Sequence, residues 1–307
     1  MSSAELVGPA AAITVPGAEA PARAGVVLRA CRPRQWTKNL LLLAAPAAAG
    51  SLTDLGAVST VALAIVAFCM LSSATYLLND VRDREQDRCH PNKRSRPVAC
   101  GALAPRHALA LAAGLALTGL GISALVRWQL ALLGLAYLVL TASYSLWWRR
   151  LIGLDILAIA GGFVVRAAAG GAAADVGLSR WFLLVTSCGA VFVVAAKRHA
   201  ELSRVRQSRA LRATLRSYST FLLRSLMATA AIGAISAYVL WAAQRPEHGP
   251  WYEITIMPVV FWLGRYATLV ARGAGEAPEE LILGDRVLLS VTLAWALLFA
   301  GGVYVGS

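Results

Sequence analysis

Between residues 55 and 79 the chain runs LGAVSTVALAIVAFCMLSSATYLLN without a charge, and the stretch NDVRDREQD that overlaps its end, 79–87, then places six charges in nine residues. Uncharged runs of the same kind cover 107–126, 128–148, 181–196, 225–244 and 287–307. About 20 apolar residues, each rising 1.5 Å along a helix, cross a hydrocarbon core of ~30 Å, so these six runs read as membrane spans. Three further segments are interrupted by polar residues: 35–53 holds LLLLAAPAAAG between Lys38 and Asp54, 151–174 carries Asp155 and Arg166, and 250–271 carries Glu253 and Arg265. Counting them predicts an all-α polytopic membrane protein of nine transmembrane helices. The apolar runs are continuous and do not alternate with polar residues, which argues against a transmembrane β-barrel.

Composition agrees with that reading. Of 307 residues, 58% are hydrophobic and 15% charged, with 29 Lys and Arg against 16 Asp and Glu. Basic residues mark the cytoplasmic side of short loops. With nine helices and the N-terminus inside, one set of connections holds Arg82, Arg84, Arg88, Lys93, Arg94, Arg96 and Arg106, then Arg149 and Arg150, the 197–216 stretch and Arg272; the opposite set holds little beyond Arg127, Arg180 and Arg245. This asymmetry predicts a plasma-membrane protein with its N-terminus and polar loops cytoplasmic and its C-terminus outside. Residues 1–28 are expected to be a disordered tail rich in Ala, Pro and Gly, without the basic region and apolar core of a cleaved signal. Residues 29–307 are expected to form a single domain. Cys89, His90, Cys100 and His107 share a loop, but their spacing matches no standard zinc set.

Two polar stretches stand out, 80–105 and 197–217. Each follows the second helix of a group of four, which suggests two four-helix halves plus a ninth helix, with both loops capping a cavity on the cytoplasmic side. On a helix through NDVRDREQD, Asn79, Asp83 and Asp87 follow at i, i+4 and i+8, with Asp80 on the same face. Carboxylates at that spacing repel, and oxygen ligands suit a hard cation such as Mg2+, or Mn2+ in its place, which commonly bridges carboxylates to substrate phosphates. The other reading is a solvated helix end with Arg82 and Arg84 as partial partners. The following RCHPNKRSRPV supplies Arg88, Lys93, Arg94 and Arg96, donors suited to phosphate oxygens, so carboxylates and cations together point to a diphosphate. Nucleic acid is a poor candidate for this loop, which lacks aromatic platforms and lies against the membrane.

NDVRDREQDRCHPNKRSRP resembles the first signature of the UbiA-type membrane prenyltransferase superfamily, an NDxxDxxxD motif followed by a basic turn. The resemblance implies a nine-helix bundle with two cytoplasmic acidic loops holding Mg2+ and a diphosphate. The second loop departs from the pattern: AAKRHAELSRVRQ has Lys197 and Glu201 where an aspartate pair would stand. Together with CRPRQWTKN near the start of the first helix, this is similar to the branch of the superfamily that transfers phosphoribosyl from phosphoribosyl diphosphate to a polyprenyl phosphate such as decaprenyl phosphate, a step toward cell-wall arabinan. That donor carries an extra phosphate, so its site calls for more positive charge.

The resemblance implies Asp83, Asp87 and Lys197 as catalytic residues, Asn79, Asp80, Asp83 and Asp87 as metal ligands, and Lys38, Arg82, Lys93, Arg94, Arg96, Lys197, Arg198 and Glu201 around the donor phosphates. Arg34, Gln35, Tyr76, Asp155, Arg166, Arg265 and Tyr266 are candidates for the acceptor or the pocket. Lys38 and Arg34 are four apart and would share a helix face, although anchoring at the membrane surface with Trp36 also explains them. Asp155 and Arg166 lie close to three turns apart; each reads equally as a cavity group or a structural pair. The paired glycines at 161–162 and 170–171 read as close helix packing. A homo-oligomer is compatible with the pattern. The competing functions are a prenyltransferase acting on an aromatic or other acceptor, and a lipid or anion transporter.

Overall fold

The computed structural model describes residues 24–148, 151–205, 218–244, 251–275 and 277–304, the side chains of 204 and 205 excepted. Arg149, Arg150, Arg245, residues 1–23 and the part of the second polar stretch at 206–217 lie outside the described residues. All regular structure described is helical: α1 (Ala24–Cys31), a 3-10 helix (Pro33–Leu43), α2 (Ala44–Ala48), a 3-10 turn (Ser51–Thr53), α3 (Leu55–Arg82), α4 (Arg84–Arg88), α5 (Pro105–Val126), α6 (Trp128–Leu146), α7 (Leu154–Ala173), α8 (Arg180–Val205), α9 (Thr220–Ala243), α10 (Trp251–Ile254), α11 (Ile256–Ala271), α12 (Pro278–Gly284) and α13 (Arg286–Tyr304).

Eight helices among the described residues are long and apolar enough to cross a membrane, with α10 and α11 together making one of them. The segment expected to supply the other span, 35–53, is not a continuous α-helix. Pro33 opens a 3-10 helix of 11 residues, and Gly50, at φ +72, ends α2. Residues 24–28, assigned to the tail by composition, form the start of α1. Elsewhere the helix starts follow local chemistry: the Asp54 carboxylate accepts from the amides of Gly56 and Ala57 at the head of α3, Ser219 accepts from Leu222 at the head of α9, and Pro105 opens α5, where no amide donor is needed.

Four buried clusters hold the helices together. One joins Leu42, Val61, Phe68, Leu71, Leu130, Tyr137 and Ala169 across the 3-10 helix, α3, α6 and α7; another joins Phe192, Met227, Leu263, Tyr266 and Leu288 across α8, α9, α11 and α13. The others lie between α1, α3 and α5 and between α7, α8 and α9. Helix α7 packs against α6, α8 and the 3-10 helix, so it belongs to the interior of both halves. Gly170 makes this possible: a Cβ there would lie 2.6 Å from the Leu42 carbonyl carbon, so only glycine lets α7 approach the 3-10 backbone. Gly161 sits under Leu140 in the same manner but with a flexible neighbour. Of the glycines read as packing residues, Gly161 and Gly170 lie at helix contacts, consistent with small residues at such contacts in membranes, whereas Gly171 is closest to Leu178 of the loop after α7 and Gly162 to Arg166 of its own helix.

The charged stretch 79–87 is not one helix. Helix α3 stops at Arg82 and α4 begins at Arg84, although Asp83 N bonds Asn79 O and Asp87 N bonds Asp83 O, so the turns continue through the break. Conversely, the stretch from Lys197 expected as a loop is helical through Val205, as the last two turns of α8. Its lysine, arginine and glutamate are thus held on a rigid helix end.

Candidate active site at the charged end of the bundle

The polar groups singled out in the sequence gather at one end of the bundle, where Arg82 on α3 donates to the Ser145 carbonyl on α6, and Gly153, before α7, donates to Tyr218, before α9. They form two connected clusters.

In the first, Asp80 and Asp87 are buried, at 2% and 3% exposure. Arg96 bridges them, its Nη1 3.2 Å from Asp80 Oδ1 and 2.6 Å from Asp87 Oδ2. Arg32 also pairs with Asp80, and Lys93 Nζ lies 4.0 Å from Asp87 Oδ1. The acidic stripe is therefore met by two arginines brought from outside the helix, which is how two close carboxylates stay buried. Asp83 lies with Arg82, at 3.1 Å, so the four expected metal ligands are not one group, and no trio of His, Cys, Asp or Glu among the described residues is spaced to hold a metal. What does fit a cation is Asp80 Oδ2, buried and without a partner, beside Asn79 at the same helix end. Two carboxylates with one free oxygen suit Mg2+, which is bound by one or two carboxylates and takes its other ligands from water and phosphates.

Arg32 was not singled out by spacing. It has φ +55, a left-handed conformation rare outside glycine, and burial pulls its guanidinium below its ordinary pKa while the Asp80 carboxylate opposes that shift. Its guanidinium also stands 5.2 Å from the ring centre of Tyr76, which connects this cluster to the next. The only sequence signal was its place before Pro33 in CRPRQ.

In the second cluster Lys38 Nζ sits 2.5 Å from Gln35 Oε1 and 3.6 Å from Glu279 Oε1 of α12, within electrostatic reach of Lys197 and Arg166. The pairing of Lys38 with Gln35 instead of Arg34 follows from the 3-10 geometry: at three residues per turn, i and i+3 eclipse. Arg34 is exposed while Lys38 is half-buried, so the two do not share a helix face as expected. Arg166 is buried and fully engaged, donating to Asn39 Oδ1 at 2.8 Å, Gly162 O at 2.9 Å and Tyr137 Oη at 2.9 Å, and lying over the Tyr137 ring. Asn39 and Tyr137 escaped sequence reading because single polar atoms in apolar runs carry no period. Tyr266 is wholly buried, with its hydroxyl unpartnered and close enough to Glu279 to interact electrostatically.

Two expected phosphate ligands are otherwise occupied. Arg198 is ion-paired with Asp155 at 2.9 Å and with Glu201 at 2.7 Å, and Asp155 also accepts from Tyr218. The charge of Arg198 is thus cancelled by two carboxylates; it ties α8 to α7. Asp155 and Arg166, expected to line one cavity, have separate partners. Arg265 is held at 2.8 Å by Asp285, whose carboxyl is kept below the usual range by that bond and by the Leu288 amide. By contrast, Lys197 has no ion pair among the described residues and is close enough to Lys38 to act on it electrostatically. Arg94 is exposed on the basic turn.

This end of the bundle therefore offers a carboxylate pair with an open oxygen, a basic turn, and alongside them Lys38, which shares its charge with Glu279, and Lys197 and Arg166, which have no carboxylate partner among the described residues. The chain is 40% identical over 288 residues to a decaprenyl-phosphate phosphoribosyltransferase of Corynebacterium glutamicum, covering 91% of this chain and 87% of that protein. It is 39% identical over 293 residues to the protein of the same name from Mycolicibacterium smegmatis, covering 91% and 92%. Its fold matches the structure of a UbiA homolog from Archaeoglobus fulgidus bound to DMAPP and Mg2+ with a TM-score of 0.69 at 15% identity, covering 91% of this chain and 99% of that one. With residues 40–292 matching the family itself, this chain belongs to the UbiA prenyltransferase family.

Proposed function

We propose that this chain transfers a 5-phosphoribosyl group from phosphoribosyl diphosphate to a polyprenyl phosphate such as decaprenyl phosphate, releasing diphosphate, in the synthesis of arabinan precursors for the cell wall. The observation that carries this reading is Lys197: where a prenyl diphosphate enzyme of this superfamily would have a second aspartate pair, a lysine with no ion pair among the described residues lies within electrostatic reach of Lys38. A donor with a 5-phosphate in addition to its diphosphate needs that charge.

Asp80 and Asp87, with Asn79 at the same helix end, are the residues that would hold Mg2+. Bound there, the cation neutralises charge developing on the departing diphosphate. Arg96 and Lys93, already on these carboxylates, turn their remaining donors to the diphosphate oxygens, with Arg94 and Arg82 on the rim. Arg32, pinned to Asp80, orients that carboxylate. Lys38 and Lys197 take the 5-phosphate. As the bond from ribose C1 to the diphosphate oxygen breaks, C1 gains oxocarbenium character, and a phosphate oxygen of the lipid forms the new bond from the opposite face, inverting the anomeric centre. The attacking phosphate is anionic at neutral pH, so no side chain has to remove a proton. Tyr76, beside the Arg32 guanidinium, and Tyr266, within electrostatic reach of Glu279, are assigned to the pocket wall.

In this reading the chain has nine crossings. A 3-10 helix rises ~2 Å per residue, so Pro33–Leu43 and α2 together have nearly the length of a hydrocarbon core. The charged end is cytoplasmic, where the water-soluble donor is, and the C-terminus lies outside the plasma membrane, in keeping with the basic residues of that end.

The test is transfer of label from radiolabelled phosphoribosyl diphosphate to polyprenyl phosphate by the purified protein with Mg2+, read in the organic phase. Label there supports the reading. Transfer of a prenyl group from a prenyl diphosphate to an aromatic acceptor, with none from phosphoribosyl diphosphate, overturns it.

A further inference from the structure

A groove between α8, α9 and α11 takes no part in the reaction above. It has a volume of about 410 Å3 and apolar walls that include Phe192, Ile235, Val260 and Leu263, with Ala231, Gly264 and Ala267 leaving shallow steps between them. Val260 on its rim is exposed, so the groove faces the bilayer side of the bundle. His199 and Arg224 close one end.

That end is chemically distinct. Arg224 Nε donates to His199 Nε2 at 3.2 Å. A guanidinium has no acceptor, so Nε2 offers its lone pair and the imidazole proton stands on Nδ1. His199 is 3% exposed, and its Nδ1 has no partner among the described residues. Arg224 is exposed and has no carboxylate partner among the described residues. The head of an otherwise apolar groove thus presents donors without an acceptor, the complement of an anion.

The dimensions fit a lipid in one leaflet. From Arg224 to Ile235, α9 rises ~16 Å, about half of a hydrocarbon core of ~30 Å. The charged head lies at the same end of the bundle as Lys197, because α8 contributes both. Two residues along an α-helix turn about 200° around its axis, so His199 points away from the face that carries Lys197. The groove is on the far side of α8 from the reaction centre.

We propose that this groove is a second seat for a phosphate-headed isoprenoid lipid, with the phosphate on Arg224 and His199 and one chain running along Ile235 and Val260. The identity of the lipid rests on the proposed polyprenyl phosphate acceptor. A groove of about 410 Å3 is taken to seat part of one chain and not the pair of a phospholipid, with Ala231, Gly264 and Ala267 receiving branching methyls. Such a seat holds acceptor or product beside the enzyme at the depth where transfer occurs.

The experiment is photolabelling of the full chain in nanodiscs with a diazirine-bearing polyprenyl phosphate, mapped by mass spectrometry, with phosphoribosyl transfer measured on the same samples. Labelling on α9 and α11 is expected, falling about tenfold in Arg224→Gln, as loss of a charge-assisted contact implies, and also in Ala231→Trp, which fills the channel. Labelling unchanged in both variants, or displaced by excess phosphatidylglycerol as readily as by unlabelled polyprenyl phosphate, overturns the proposal. Transfer without groove labelling rejects the seat alone; groove labelling without transfer supports the seat and rejects the proposed reaction.

Discussion

Arg96 reaches Asp87 across 2.6 Å from the turn that follows α4, and its same nitrogen contacts Asp80. A cation from outside the helix thus occupies the acidic face that binds the metal in the proposed reaction. Asp87→Asn should therefore lower kcat/KM by about 10^2 to 10^3, the size seen when one group of a preorganised charged site is lost. Titration with Mg2+ should show a higher requirement in the variant, and chelation should abolish transfer in both. Equal loss of activity with an unchanged Mg2+ requirement would detach Asp87 from the metal.

Lys197 and Arg198 are neighbours with different roles. Lys197→Ala should raise KM for phosphoribosyl diphosphate about ten- to a hundredfold, the value of a charge-assisted contact to phosphate, with a smaller change for the lipid. Steady-state kinetics with each substrate varied in turn decides this.

Arg198 and Asp155 are 5% and 1% exposed. Asp155→Leu takes one of two carboxylates from a buried guanidinium and the acceptor from the Tyr218 hydroxyl, so it should cost about 1 to 3 kcal/mol, read as a lowered thermal midpoint in detergent, and Arg198→Met in the same chain should restore part of it. If Arg198 bound phosphate instead, the double variant would be stable but inactive.

Gly170 and Gly114 separate packing from propensity. Gly170→Ala drives a methyl into the Leu42 carbonyl, whereas a methyl at Gly114 meets nothing within 4 Å. The first should cost upward of about 1 to 3 kcal/mol, as overpacking does, and the second should be neutral or stabilising. Fluorescence-detected size exclusion after heating distinguishes them.

Much of this was legible in the sequence because lipid imposes long uncharged runs, and because acidic and basic residues collected in two stretches. The first span was misread through its period: LLLL behind Pro33 adopts three residues per turn, so Lys38 meets Gln35 and not Arg34. Arg198 resembled a phosphate ligand because its partner Asp155 is remote in the chain, and spacing reports only neighbours on the same element. Arg32 and Glu279 reach the site from turns and a short helix, where no repeat marks them.

Tyr218 gives a pH signature. Its hydroxyl donates to the Asp155 carboxylate and accepts from the Gly153 amide; burial and the neighbouring carboxylate push its pKa up to about 12. The unfolded chain ionises near the ordinary tyrosine value of ~10 and so gives up this proton first as pH rises. The unfolded state then binds fewer protons than the folded one, and stability falls with pH. The contribution of Tyr218 is accordingly complete below pH ~10 and lost between ~10 and about 12. Tyr218→Phe should start from a lower thermal midpoint, having lost the bond to Asp155, and decline less steeply across that interval. Melting curves of the two proteins at matched pH check this, and parallel slopes would show that Tyr218 ionises alike in both states.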